Sequence, residues 1–171
     1  MVSEWAKSFG AAMVAISEIS AEKRKAIEGF GIADVVLRAD DENLNELYRD
    51  VSNGGFDVVF DCAGVASAIN SAIKYAFKPE TRDRKCFTGV ALPHNDLTLD
   101  YYNIVLKEIE FKGSKGHLPS EFEFIISALA AKKVSFKKYI TETMKFSEVQ
   151  EGFEKLKAKG GSNGKAMIIM E

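Results

Sequence analysis

The stretch NGGFDVVFDCAG, residues 53–64, decides the fold. Asn53-Gly54-Gly55 is turn chemistry, because asparagine and glycine tolerate the left-handed backbone a reversal needs. The run DVVFD, 57–61, is short, β-branched and aromatic, which reads as a strand. Small residues Cys62, Ala63 and Gly64 follow, and then Ile69, Ala72, Ile73 and Ala76 fall on one side of a helix. A strand, a small-residue loop and an amphipathic helix make one βα unit. Repeated, that unit builds a parallel sheet with helices on its faces.

Working outward, the same alternation recurs. Toward the N-terminus, Val2, Trp5, Ala6 and Phe9 keep helical spacing and Gly10 is placed to end that helix. The apolar run AAMVAI, 11–16, then reads as a strand covered on both faces. Ser20 caps a helix running to about Gly29, with Glu22 near its positive end. Residues 35–37 form a short strand, and Asp40 or Asp41 caps a helix with the stripe Leu44, Leu47, Tyr48 and Val51.

Toward the C-terminus, polar 78–85 is a surface connection into a strand at 86–90. A short helix near 101–106 and a strand at 109–111 follow. Ser120 and Glu123 form a capping box for a helix with Phe122, Ile125, Ile126 and Leu129 inside. Ser147 and Gln150 form another, for a helix carrying Val149, Phe153 and Leu156. The turn GGSNG, 160–164, leads into a last strand at 165–170. The expected architecture is α/β, a doubly wound Rossmann-like parallel sheet.

Bulk properties narrow the function. A chain of 171 residues with 46% hydrophobic and 28% charged residues can bury a core without disulfides or a structural metal. A net charge of −2 gives no footprint for nucleic acid, and no stretch reaches membrane-spanning length. The opening residues lack a signal-peptide pattern, so a cytoplasmic location is expected. Cys62 and Cys86 lie in apolar runs, where buried reduced thiols are the expectation. Neither they nor His94 and His117 have a second ligand at metal spacing. Lys132, Lys133, Lys137 and Lys138 cluster at a helix C-terminus, which favours cations without any ligand. Glu108 and Glu110 alternate along a strand and read as a solvent-facing edge.

Several segments in order resemble the medium-chain, zinc-type alcohol and polyol dehydrogenases: WAKSFGAAMVAISEIS, KRKAIEGFGIADVVL, GGFDVVFDCAG, GVALP, VLKEIEFKGSKG and GKAMIIME. They match that family's cofactor-binding domain and C-terminal tail. The resemblance implies an incomplete dinucleotide-binding domain over 1–140. Residues 141–171 would be a C-terminal helix and strand packing on a catalytic domain outside this sequence. The family's first, central strand and its G-x-G-x-x-G turn have no counterpart before Val2, so the reading is of an N-terminally truncated chain. A sheet deprived of its central strand must split, close the gap or borrow a strand.

By the same resemblance, Glu18 ends the second strand where the family holds its ribose-binding carboxylate, which favours NAD. Lys23, Arg24 and Lys25 keep NADP open. Ala63 and Gly64 would border the adenosine, Val90, Ala91 and Leu92 the nicotinamide side, and Gly113 and Ser114 the nicotinamide itself. No residue is expected to be catalytic or to bind metal, and zinc belongs to the absent catalytic domain. The expected partners are a nicotinamide cofactor, a small alcohol or polyol, and further copies in a homo-oligomer. The chain would orient the cofactor within an NAD(P)-dependent oxidoreductase and be inactive in isolation. Two other readings stay open: a non-catalytic Rossmann-like binding module, and a zinc-free quinone or enoyl reductase.

Overall fold

A computed structural model describes residues 1–78, 84–93 and 95–170. Most of the connection expected at 78–85, and His94, lie outside the described residues. The chain forms two compact units, one of residues 1–36 and 122–171, the other of residues 37–121.

The second unit follows the sequence pattern most closely. It contains α3 (Leu44–Ser52), β3 (Val58–Asp61), α4 (Ala66–Ser71), β4 (Lys85–Gly89), α5 (Tyr101–Leu106) and β5 (Ile109–Gly113). Strands β3, β4 and β5 form one parallel sheet in that order. The expected stripe Ile69, Ala72, Ile73 and Ala76 is buried, with Phe77, Phe87 and Ile109 completing the core. Ile73 and Phe87 are almost completely enclosed, which contributes about 1.5–3 kcal/mol for each side chain. Helix α4 passes into a π-helical turn at Ala72–Ala76. Its carbonyls at Ile73 and Lys74 accept from Lys107 Nζ, while Lys85 Nζ donates to the Lys107 carbonyl. Both lysines are buried, and burial pushes the Lys107 ammonium pKa down.

The first unit is built from α1 (Val2–Ser8), β1 (Ala15–Glu18), α2 (Ala21–Phe30), most of α6 (Pro119–Ala130), β6 (Ile140–Lys145), α7 (Val149–Ala158) and β7 (Lys165–Ile169). The unit boundary runs through β2 (Val35–Arg38), which forms a two-stranded sheet with β1. Strands β6 and β7 pair in parallel. Trp5 packs on Phe9, Phe124 and Phe136, and Phe30 meets Tyr139 edge-on. Among the described residues no ladder joins β1–β2 to β3–β5, so backbone pairing divides the strands into separate sheets.

Several local expectations are corrected. The strand expected at 11–16 begins at Ala15 and reaches Glu18, and Met13 is exposed. The Asp34 carboxylate takes the Val14 amide, and Val14 O accepts from Asp34 and Val35, so the preceding residues form a bend. Neither Asp40 nor Asp41 caps α3: Asp40 pairs with Arg38, and Asp41 accepts from Asn43 N before the helix starts at Leu44. Helix α6 starts at Pro119, with Glu121 accepting from Leu118 N in place of the Ser120–Glu123 box. Its enclosed position is Ala128, while Phe122, Ile126 and Leu129 are exposed, because Trp5 and Phe9 pack against Phe124. At α7, Glu148 accepts from Lys145 N in place of a Ser147–Gln150 box, and Phe153 is exposed. Cys62 is exposed rather than buried, because it follows β3 on the open strand end.

Candidate functional site

The carboxyl ends of β3, β4 and β5 lie level with one another. Asp61 stands opposite Gly89, and Gly89 opposite Gly113. A parallel sheet presents its ligand face at these ends, where loops leave the strands and small residues let a ligand approach the backbone. Six of the expected site residues follow directly: Ala63 and Gly64 after β3, Val90, Ala91 and Leu92 after β4, and Ser114 after β5, whose last residue is the seventh, Gly113. The structure brings these seven together on one edge.

Asp61 organises that edge, and the sequence reading passed over it. Its carboxylate accepts from Ala63 N at 3.0 Å and from Gly64 N at 3.1 Å, while its own carbonyl accepts from Val90 N at 2.9 Å and Ala91 N at 3.2 Å. One nearly buried residue therefore fixes the turns after two strands. Gly64 has a φ of +66°, and a Cβ there would sit 3.2 Å from Ala91 Cβ and 3.3 Å from Leu92 O. Glycine both tolerates this backbone and lets the two loops touch. Ser114 N closes the third turn by donating to Gly89 O at 2.9 Å. An acid at a strand end before small residues is the signal that could have identified Asp61, since Asp side chains readily bond the amides two and three residues on. Although Cys62 is exposed as a residue, partial burial of its thiol, and after it the Asp61 charge, raises the thiol pKa and disfavours the thiolate. A Cβ added at Gly113 would meet nothing within 4 Å beyond its chain neighbours, and one at Gly89 would meet only Lys112 O at 3.8 Å.

Glu18 belongs to the first unit and ends β1. One carboxylate oxygen accepts from Ser20 N at 2.9 Å, which leaves the other with no protein hydrogen bond among the described residues. Ser20 caps α2 by accepting from Lys23 N. Arg24 Nη1 donates to Glu18 O at 2.9 Å and Ile19 O at 2.7 Å, so its charge is turned onto the main chain. Lys23 and Lys25 are exposed.

The first unit also holds a polar anchor that no sequence signal marked. Glu4 accepts from Tyr139 Oη at 2.7 Å and Ser135 N at 3.3 Å, and pairs with Lys138 at 2.7 Å. Burial would raise the Glu4 pKa, but these partners outweigh it and hold the carboxyl below its ordinary range. Lys138 thus leaves the basic cluster for an ion pair. Glu110 pairs with Lys112 on the exposed face of β5, as a solvent-facing residue should. Among the described residues, no group of three or more His, Cys, Asp or Glu could hold a metal ion. No helix among them is long and apolar enough to cross a membrane.

The sequence profile of the zinc-binding dehydrogenases matches residues 1–132. The chain belongs to the zinc-binding dehydrogenase family. It is 30% identical over 138 residues to a D-arabitol-phosphate dehydrogenase of Enterococcus avium, covering 80% of this chain and 37% of that protein. It is 26% identical over 145 residues to an (R,R)-butanediol dehydrogenase of Neisseria gonorrhoeae, covering 84% of this chain and 39% of that protein. In fold it is similar to the crystal structure of 2R,3R-butanediol dehydrogenase from Bacillus subtilis, with a TM-score of 0.81 at 23% identity over 99% of this chain and 46% of that one. This zinc-binding dehydrogenase chain thus spans less than half the length of these relatives, and its fold is the Rossmann-like α/β arrangement of their family.

Proposed function

We propose that this chain orients the nicotinamide cofactor within an oxidoreductase that moves a hydride between an alcohol or polyol and NAD. The observation that carries the reading is the level row Asp61, Gly89 and Gly113, with its turns held open by small residues, the first fixed by the Asp61 carboxylate and the second by the Asp61 carbonyl. Such an edge suits an extended dinucleotide, which an open parallel sheet binds beyond the carboxyl ends of its strands. When bound, the cofactor supplies the hydride acceptor or donor, and the protein supplies position and electrostatics. Residues 1–140 are the part assigned to the cofactor. Residues 141–171 are assigned to packing against a catalytic domain that would hold zinc, and the substrate would be met there.

NAD is favoured over NADP by the first unit. Glu18 keeps one carboxylate oxygen open as an acceptor for ribose hydroxyls, and a 2′-phosphate there would meet a negative charge. Arg24, one of the three cations in this stretch, is engaged with main-chain carbonyls. The test is Glu18→Ala in an enzyme joining this chain to a catalytic domain. The ratio of kcat/KM for NAD over NADP should fall at least about tenfold, the worth of one charged hydrogen bond. An unchanged ratio would return Glu18 to a purely structural part in the turn. The chain alone should give no alcohol turnover with or without zinc, and measurable turnover would overturn the assignment of catalysis to another domain.

A further inference from the structure

We infer that Arg24 is a positioning residue for the ribose-binding carboxylate, an inference that rests on the reading of Glu18 given above. Arg24 stands in the first turn of α2, close to its positive end, where a cation is disfavoured. Its placement needs a compensating contact, and the carbonyls of Glu18 and Ile19 provide it through a single guanidinium nitrogen. Glu18 is the last residue of β1 and Ile19 leads into the Ser20 cap of α2, so the guanidinium ties the strand end to the helix start. On the opposite side of the same turn, Ser20 N donates to Glu18 Oε1, Arg24 N donates to Ser20 O, and Ser20 Oγ accepts from Lys23 N.

The turn is therefore closed at both ends of one side chain. Arg24 fixes the backbone of Glu18, and Ser20 fixes one of its carboxylate oxygens. The remaining oxygen is presented in a single orientation, ready for the two hydroxyls of a vicinal diol. Without Arg24, the Glu18–Ser20 turn is free to rotate, Ser20 N is released, and the carboxylate samples rotamers that do not face a diol. The guanidinium itself touches no ligand. Its effect is confined to the part of the affinity that depends on ribose hydroxyls.

The test compares 5′-AMP with 2′,3′-dideoxy-AMP, titrated into the whole chain and followed by amide chemical shifts. The wild type should bind 5′-AMP about tenfold more tightly than the dideoxy probe. Arg24→Met should lower 5′-AMP affinity several-fold, leave the dideoxy probe unchanged, and raise the exchange rate of the Ser20 amide. Arg24→Lys, which keeps a cationic donor within reach of both carbonyls, should restore most of the discrimination. A change that merely loosened the fold would weaken both probes alike, and that outcome overturns the inference. Glu18→Gln separates the two claims. If it abolishes discrimination while Arg24→Met does not, Arg24 has no positioning role. If the wild type binds neither probe, or both equally, the ribose reading of Glu18 fails and the role of Arg24 fails with it.

Discussion

Replacing Asp61 by alanine removes the hydrogen bonds its carboxylate accepts from the amides of Ala63 and Gly64, at 3.0 and 3.1 Å. Bonds to a charged acceptor contribute about 1.5–3 kcal/mol each. Ala63 is exposed and Gly64 half-buried, so water can reach the stranded amides and recover part of the loss. The expected destabilisation is about 2–4 kcal/mol, which is a large fraction of a domain's stability. Asp61→Asn retains one acceptor oxygen but turns an amide donor toward the Gly64 N–H, so it should cost about 1–2 kcal/mol. Urea unfolding at neutral pH would measure both, with an unchanged m-value showing that stability alone has moved. Hydrogen exchange adds a local readout: the Val90 and Ala91 amides should lose protection, because they bond the carbonyl of the same residue. An alanine variant within about 0.5 kcal/mol of wild type, or equal costs for Asn and Ala, would refute the view that this carboxylate holds the strand-end turns.

Tyr139→Phe should cost about 1.5–2 kcal/mol at neutral pH, since the hydroxyl donates to the Glu4 carboxylate in a half-buried setting. Burial and that same carboxylate push the Tyr139 hydroxyl pKa up, so it remains a donor throughout the accessible range. The Glu4 carboxyl titrates below its ordinary value of 4.5 in the folded chain, so its contribution is complete above that pH and disappears as pH falls through the lower folded value. The gap between wild type and Tyr139→Phe should therefore close on the acid side of 4.5, and a gap that widened there would reverse the sign of the argument. Gly55→Ala should destabilise the second unit by at least about 2 kcal/mol, because φ is +137° and the new Cβ would lie 2.3 Å from Lys78 N. Thermal unfolding would check it, and a neutral result would mean that the Gly55–Lys78 approach is not tight.

The second unit was legible because its signals are local and periodic. Ile69, Ala72, Ile73 and Ala76 recur at helical spacing, and all are buried. VVFD carries strand chemistry between turn residues, and its observed bounds differ from the reading by one residue. The π-helical turn left no trace in that pattern, since the same apolar positions serve either helix. Lys85 and Lys107 were unreadable as interior residues because a lysine is ordinarily exposed, and only the carbonyls of Ile73, Lys74 and Lys107 explain their burial. In the first unit, β6 was missed because ITETMK mixes Thr, Glu and Lys with few apolar residues, and its pairing with β7 is a long-range choice. Helix α6 is apolar on most sides, so periodicity could not select a face. The aromatic pair Trp5 and Phe9 did so instead. At the site, glycines and small residues were visible in the sequence, whereas the Asp61 and Arg24 contacts depend on geometry across turns.

Titration of the labelled chain with NAD, followed by backbone amide shifts, addresses the central claim most directly. Shifts should appear at Glu18, at Ala63 and Gly64, across Val90, Ala91 and Leu92, and at Gly113 and Ser114. Shifts confined to other segments, such as the lysine-bearing turn around Ser135, or none at high cofactor concentration, would contradict the assignment of these strand ends to the cofactor.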